Sequence, residues 1–251
     1  MEAAEYERMY AAEDAHWWYA GVHDLVLRFA RAEATRCARA LKILDAGCGT
    51  GRLAQLLQPL GEVDGCDIHV PALELAARRG LPRLHRCDIA EASPGAAAYD
   101  LITSIDVLYH LRVRDVSAAL QNLRRALRPG GCLLLQVPAF ELLRGTHDRA
   151  VHTRHRFRRD EVTRLLAQAG FHVGFVSCRL ALFFPAMLMW RIASRMWPDT
   201  AMAAPPASDV AYALPHPLNQ SLLALVKLEN RLLAAGMRFP IGTSIFAVAR
   251  T

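Results

Sequence analysis

The sequence predicts an α/β protein: a parallel sheet with helices packed on both faces. Three observations carry this. From residue 41 onward, short apolar runs alternate with helical stretches, the rhythm of strand–helix–strand units. The first run closes on an acid and opens into glycines, LKILDAGCGTGRLAQLL at 41–57, as a strand hands over to a helix at a ligand site. A later run at 63–67 closes on a second acid, Asp67.

The elements follow in order. Residues 2–40 are rich in arginine, glutamate and alanine and read as helical, broken by the aromatic knot His16-Trp17-Trp18-Tyr19-Ala20-Gly21. Leu41–Leu44 is a strand, followed by a helix through Leu57. Val63–Asp67 is the second strand and Pro71–Arg79 a helix. Residues 83–87 form a weak third strand, Tyr99–Ser104 a fourth, and Asp115–Leu127 a helix. Arg128-Pro129-Gly130-Gly131 reads as a turn before a fifth strand, Cys132–Val137. Asp160–Gly170 is a helix stopped by its glycine, Phe171–Ser177 a sixth strand, and Ser244–Arg250 the last. Residues 180–240 break the rhythm. They hold an apolar helix near 180–197, a Pro/Ala-rich loop at 203–219, and an amphipathic helix near 219–235. The division is one domain, 1–251: an N-terminal helical cap at 1–40, a core at 41–179, a helical insertion at 180–240 and the last strand at 241–251.

With 251 residues, 53% hydrophobic and 22% charged, the chain can bury a sizeable core. The start MEAAEYERMY lacks the basic and apolar stretches of a signal peptide. The longest apolar run, Leu180–Trp190, is too short to span a bilayer, so a cytoplasmic location is expected. Six cysteines form no CxxC pair and no zinc-ligand spacing, which fits reduced thiols and no metal. The net charge of +6 rests almost wholly on arginine and permits anionic partners without demanding them.

Gly47, Gly49 and Gly51 allow tight turns and close approach of a ligand to the backbone. The helix start behind them offers free N–H groups to a carboxylate or phosphate. The spacing is GxGxG, not the GxGxxG of dinucleotide enzymes, and no Lys-Ser/Thr follows. Asp67 can accept both hydroxyls of a ribose. Asp88, after the third strand, can accept from an adenine amino group with Ile68 and Ile89 on the ring. Either acid alone is an ordinary cap or surface residue; the pair, in register with the loop, favours a site.

DAGCGTG, GCDIHVPALELAARRG, CDIAE, YDLITSIDVLYHL and LRPGGCLLLQVP together resemble the ordered motifs of class I S-adenosylmethionine-dependent methyltransferases, in particular the small-molecule "type 11" group. The likeness covers residues 41–178 and the last strand. It implies a Rossmann-like seven-stranded sheet whose last strand is antiparallel and inserted beside the sixth. It implies S-adenosylmethionine as cofactor and S-adenosylhomocysteine as product. Asp45, Gly47, Gly49 and Gly51, with Cys48 inside the loop, would hold the methionine end, Asp67 the ribose and Asp88 the adenine. Ser104 to Asp106 would pass under the methionine and sulfonium.

Transfer from a sulfonium is an in-line displacement, so the protein mainly aligns the acceptor and excludes water. A base is needed only where the acceptor loses a proton. Three stretches offer polar groups. Asp106-Val107-Leu108-Tyr109-His110 leaves the catalytic edge after the fourth strand. His110 is a candidate base, or a histidine turned to solvent; Tyr109 is a substrate contact. Residues 144–162 hold six arginines and three histidines. Such a run is usually a solvated connection. Its place over the site, and a likeness to an HD…RRY element of bacterial family members, put His147 and Asp148 at the active site and Arg156 and Phe157 on the loop or substrate. Thr153 departs from that element, which expects a histidine there. Arginine suits a phosphate or carboxylate, so an anionic acceptor is a second expectation. The aromatic knot resembles an HWW[FY] lid segment: Trp17 over the cofactor, Tyr19 towards substrate and His16 as a further base.

The acceptor is expected to be a small or lipid-linked molecule. The 180–240 insertion leaves peripheral membrane contact and a homodimer open. A nucleic-acid methyltransferase is the alternative the arginines suggest; against it, SIDVLYHL is not the Asn/Asp-Pro-Pro-aromatic motif used on base amines. A non-catalytic cofactor-binding scaffold is another alternative.

Overall fold

The structure is a computed structural model and describes residues 3–145, 148, 152–196 and 214–251. Helices α1 (Ala3–Ala12) and α2 (Trp17–Cys37) precede a strand–helix series: β1 (Leu41–Ala46), α3 (Arg52–Leu57), β2 (Gly61–Asp67), α4 (Val70–Arg78), β3 (Leu84–Arg86) and β4 (Tyr99–Ile105). Then come α5 (Val116–Ala126), β5 (Leu127–Pro138), α6 (Arg159–Gln168), β6 (His172–Arg179), α7 (Phe184–Met196), α8 (His216–Ala234) and β7 (Ser244–Arg250).

The seven strands form one sheet in the order β3-β2-β1-β4-β5-β7-β6. β1 to β5 run parallel, and β7 lies antiparallel between β5 and β6. The order reverses between β1 and β4, so a crevice opens at their carboxyl ends, where open α/β sheets hold ligands.

The central strands are buried on both faces, so their side chains divide by twos between two cores. Ile43, Leu101, Leu134 and Phe246 face α2, α3 and α8. Leu44, Ile102, Leu133 and Ala247 face α5 and α6. Each fully buried leucine contributes roughly 1.5–3 kcal/mol of hydrophobic stabilisation. α1 stands apart on a satellite cluster, with Tyr6 packed on Ala72 and Leu75 of α4.

Several boundaries differ from the sequence reading. The aromatic knot does not interrupt a helix; it begins one. His16 is the N-cap of α2 through its side chain, and Trp17–Tyr19 form the first turn. Arg128–Gly131 is not a free turn. β5 starts at Leu127, paired with Tyr99, and the register shifts before Cys132 pairs with Leu101. Gly130, at φ 75°, supplies the backbone of that bulge. In the insertion, α7 starts at Phe184 because Leu180 and Ala181 give their N–H groups to the Glu229 carboxylate instead. The Pro/Ala-rich stretch 203–213 lies outside the described residues. Among the described residues, no helix is long and apolar enough to cross a membrane.

Candidate active site

The glycine loop joins β1 to α3 at the crevice. The N–H groups of Gly47 and Cys48 both donate to the Cys66 carbonyl, at 2.8 and 2.9 Å, which bends the loop back over β2. Gly47 has φ 82°, and a Cβ there would lie 2.3 Å from Val107 Cγ2. Gly51 is needed for a different reason. At φ 84° it caps α3 and packs against Ala76 and Leu81 of the α4 side, away from the crevice.

Asp67 ties the loop to β2. Its Oδ2 accepts the Gly49 N–H at 3.0 Å and its Oδ1 the His69 N–H at 2.8 Å. Burial raises its pKa. Asp45, at the end of β1, is buried and accepts from the Thr103 hydroxyl at 2.7 Å. Burial pushes its carboxyl up to about 7, with Asp67 adding to the rise. Asp88 Oδ1 accepts the Ala90 N–H at 2.9 Å, which turns the chain after β3. Cys48 is buried and its thiol is pushed well up, so it stays neutral and unreactive.

These residues line a cavity of about 1020 Å³. Its inner half carries Asp45, Gly47, Gly49, Asp67, Ile68, Asp88 and Ile89. Its outer half, on the side of β4 and the cap, is lined by Asp106, Tyr109, His110, Trp17, Tyr19, Leu143, Phe183, Met187 and Trp190. Backbone without Cβ at Gly47 and Gly49, beside two buried acids, fits a nucleoside joined to a zwitterionic amino acid.

The cap is fixed by α8. Asn219 takes the Trp17 N–H at 2.9 Å on its Oδ1 and gives its own N–H to the Ala15 carbonyl at 2.8 Å. Trp17 then stacks on Phe183, ring centroids 5.2 Å apart. His16 accepts the Trp18 N–H on Nδ1 at 3.3 Å, and burial lowers its pKa, so it stands as a neutral cap at the cavity wall. Glu13 closes the opposite side. It bonds the Thr50 hydroxyl and pairs with Arg79 at 3.2 Å, and burial pushes it up to about 7.

The outer wall gathers most of the remaining predicted residues. Tyr109 is buried, its phenol pKa driven up by burial, and its ring lies 4.3 Å from His110. The His110 backbone bridges to Thr153, which brings the arginine-rich segment over the site. Three of its arginines are not free basic surface. Arg144 pairs with Glu141, and Arg154 donates to the Val113 and Arg114 carbonyls. Arg156 holds Asp148 through Nε at 2.8 Å and Nη2 at 3.2 Å, and reaches the Ala139 carbonyl at 3.1 Å. These cations are engaged in holding the loop.

Three predicted contacts are displaced. Gly51 packs between helices, as above. Ser104 is fully buried in β4 and does not line the cavity. Phe157 is 2% exposed: its backbone bridges Ala139 and its ring joins the core, off the cavity lining and in keeping with a role in fixing the loop. His147 lies outside the described residues. Glu13 and His23 line the cavity without having been singled out from sequence. His23 sits one turn beyond Tyr19, and burial lowers its pKa to about 4, so it is a neutral wall. Its signal was the i, i+4 spacing from Tyr19 on an amphipathic helix.

A methyltransferase-domain family model matches residues 14–174, well over half of the chain. A ubiquinone biosynthesis O-methyltransferase of Dinoroseobacter shibae is 30% identical over 235 residues, covering 77% of this chain and 90% of that one. The chain belongs to the class I S-adenosylmethionine-dependent methyltransferases. A namesake from Parvibaculum lavamentivorans is 32% identical over 140 residues, 47% of this chain; there the match spans only 54% of the relative's length. Among solved structures, a Haemonchus contortus phosphoethanolamine N-methyltransferase 2 in complex with S-adenosyl-L-methionine superposes with a TM-score of 0.54 at 20% identity. It covers 88% of this chain and 52% of that one, and shares the fold. S-adenosylmethionine, the methyl donor of the family, is the cofactor of this chain.

Proposed function

We propose that the chain transfers a methyl group from S-adenosylmethionine to oxygen on a small acceptor with an apolar body. The observation that carries this is the continuity of the cavity: an inner half of glycines and acids opens into an outer half of aromatic and aliphatic side chains. In this reading Asp67 takes the ribose hydroxyls, Asp88 the adenine edge with Ile68 and Ile89 on its faces, and the loop at Gly47–Gly49 the amino-acid end. Bound there, the sulfonium supplies an activated methyl group with a good leaving thioether. Trp17, Tyr19, Tyr109 and Phe183 hold the acceptor in line and keep water out. His110, at the wall between the two halves, accepts the acceptor's proton. Asp148 and Arg156 serve by fastening the loop above.

The apolar outer half and the ubiquinone-pathway relatives favour a phenol bearing a hydrocarbon tail over a compact anion. Of the arginines that suggested an anion or a nucleic acid, Arg144, Arg154 and Arg156 bind carboxylates and carbonyls of the chain itself. We take the whole chain as one domain, and place it in a reducing compartment such as the cytoplasm, in keeping with its six free cysteines. Labelled methyl donor offered with catechols, with and without a short prenyl chain, tests the reading. Label transferred to the tailed catechol supports it. Transfer only to compact anions, or to RNA, overturns the acceptor class.

A further inference from the structure

A line of three side chains runs beneath the cavity from the end of β6 to the end of β4. Arg179, the last residue of β6, has no exposed surface. Its Nη1 lies 3.4 Å from Oε1 of Gln136 on β5. Gln136 Nε2 donates to Asp106 Oδ2 at 2.7 Å, and the Gln136 carbonyl accepts the Asp106 N–H at 3.0 Å. Asp106 lines the cavity with φ 57°, the left-handed region that costs a non-glycine residue energy. Such a conformation persists only where neighbours over-determine it, and Gln136 grips Asp106 at two points.

Burying Arg179 is costly. Among the described residues no carboxylate lies within ion-pair distance of it, and its Nε and Nη2 find no acceptor. Burial lowers its pKa to about 10, against the pull of Glu229, Asp106 and Asp24. α2 makes room with Gly21, where a Cβ would sit 3.2 Å from Nη2. A long apolar side chain would fill the place at lower cost, so stability does not explain the arginine.

The amide of Gln136 does. It has one accepting and one donating end, whereas a guanidinium can only donate. Arg179 therefore holds Oε1 towards itself and turns Nε2 to Asp106. Reversed, Gln136 would present an acceptor, which suits only a protonated carboxyl. We infer that Arg179 is a positioning residue, locking the Gln136 amide so that Asp106 stands as an oriented, ionised carboxylate in the cavity wall. The inference rests on Asp106 serving the methyl-transfer site proposed above, where an anion can face a cationic ligand or take up a proton. Burial raises the Asp106 pKa to about 6, opposed by the Gln136 bond and by the charges of Arg179 on β6 and Arg156 on the covering loop. Tyr109, three residues on, faces it as a protonated phenol.

The test is a carboxyl ¹³C NMR titration of aspartate-labelled full-length protein, with the Asp106 signal assigned by its loss in Asp106→Asn. The wild-type midpoint is expected near 6. Arg179→Met and Gln136→Met should each raise it by about one unit, the lower end for losing a nearby charge or hydrogen bond. Arg179→Lys, which keeps a cationic donor, should restore it to near wild type. A midpoint unmoved by Arg179→Met contradicts the inference, as does a shift in Gln136→Met alone. Arg179→Leu, which likewise carries no donor, takes the place of Arg179→Met should that variant not fold. S-adenosylhomocysteine titrated into the same samples separates the two claims: a wild type that does not bind it sinks the proposed function, while the carboxyl titration still decides the role of Arg179.

Discussion

Removing the Arg156 guanidinium should cost the protein about 4 kcal/mol. Arg156 is 8% exposed and Asp148 2%. Arg156→Met keeps the length of the side chain and removes three hydrogen bonds, two to Asp148 and one to the Ala139 carbonyl. At about 1.5 kcal/mol net for each bond involving a charge, the loss is about 4–5 kcal/mol. The Asp148 carboxylate meanwhile keeps the Gly145 N–H at 2.7 Å but loses the Arg156 charge. One-sided breakage of a buried pair costs about 3–5 kcal/mol, in agreement with the first figure. Urea unfolding followed by circular dichroism measures it. Asp148→Asn combined with Arg156→Met should recover a good part of the loss, because the buried charge that Arg156 faces is then removed as well. A single-variant loss below about 1 kcal/mol, the size of an exposed pair, would refute the view that this contact fastens the loop.

Glu13 makes stability depend on pH. Its folded carboxyl is raised to about 7 from 4.5, chiefly by burial, so the folded state holds a proton that the unfolded state has released. Its contribution is full below pH 4.5 and fades as pH rises through 7. Glu13→Gln should therefore lose about 3 kcal/mol less than wild type between pH 4.5 and 8, read from urea midpoints at both; equal losses would contradict the assignment. Gly47→Ala should destabilise by about 1–3 kcal/mol, since its Cβ would meet Val107 at 2.3 Å in a left-handed backbone, and should weaken nucleoside binding as the loop shifts. Thermal melting and calorimetry check the two effects, and a Gly47→Ala variant that binds as wild type would mean the loop does not need its close approach there.

The inner half of the site was legible because its signals are local. A strand, a glycine loop and two acids at strand ends lie close in sequence, and backbone geometry alone brings them together. The sheet was legible for the same reason, since alternating apolar runs fix strands and helices; SIFAVAR matched β7 to the residue. The outer half was not, because charge does not reveal its partner. Arg156 reads from sequence like Arg158, yet one is buried on Asp148 and the other meets Asp160 at the surface. Phe157 reads as a residue on the loop or the substrate and joins the core, since its backbone pairs beside β5. Arg179 falls beyond the sixth strand as read from sequence, yet it is that strand's last residue. Only the crossing of α2 and α8 over it turns it into a buried cation.

The central claim is that the glycine loop and Asp67 form the nucleoside end of one continuous cavity. Isothermal titration with S-adenosylhomocysteine, comparing wild type with Asp67→Ala, tests it most directly. The account predicts binding by the wild type and a loss of about tenfold to a hundredfold in the variant, the worth of one or two hydrogen bonds to a carboxylate. Equal affinity in the two proteins would contradict it.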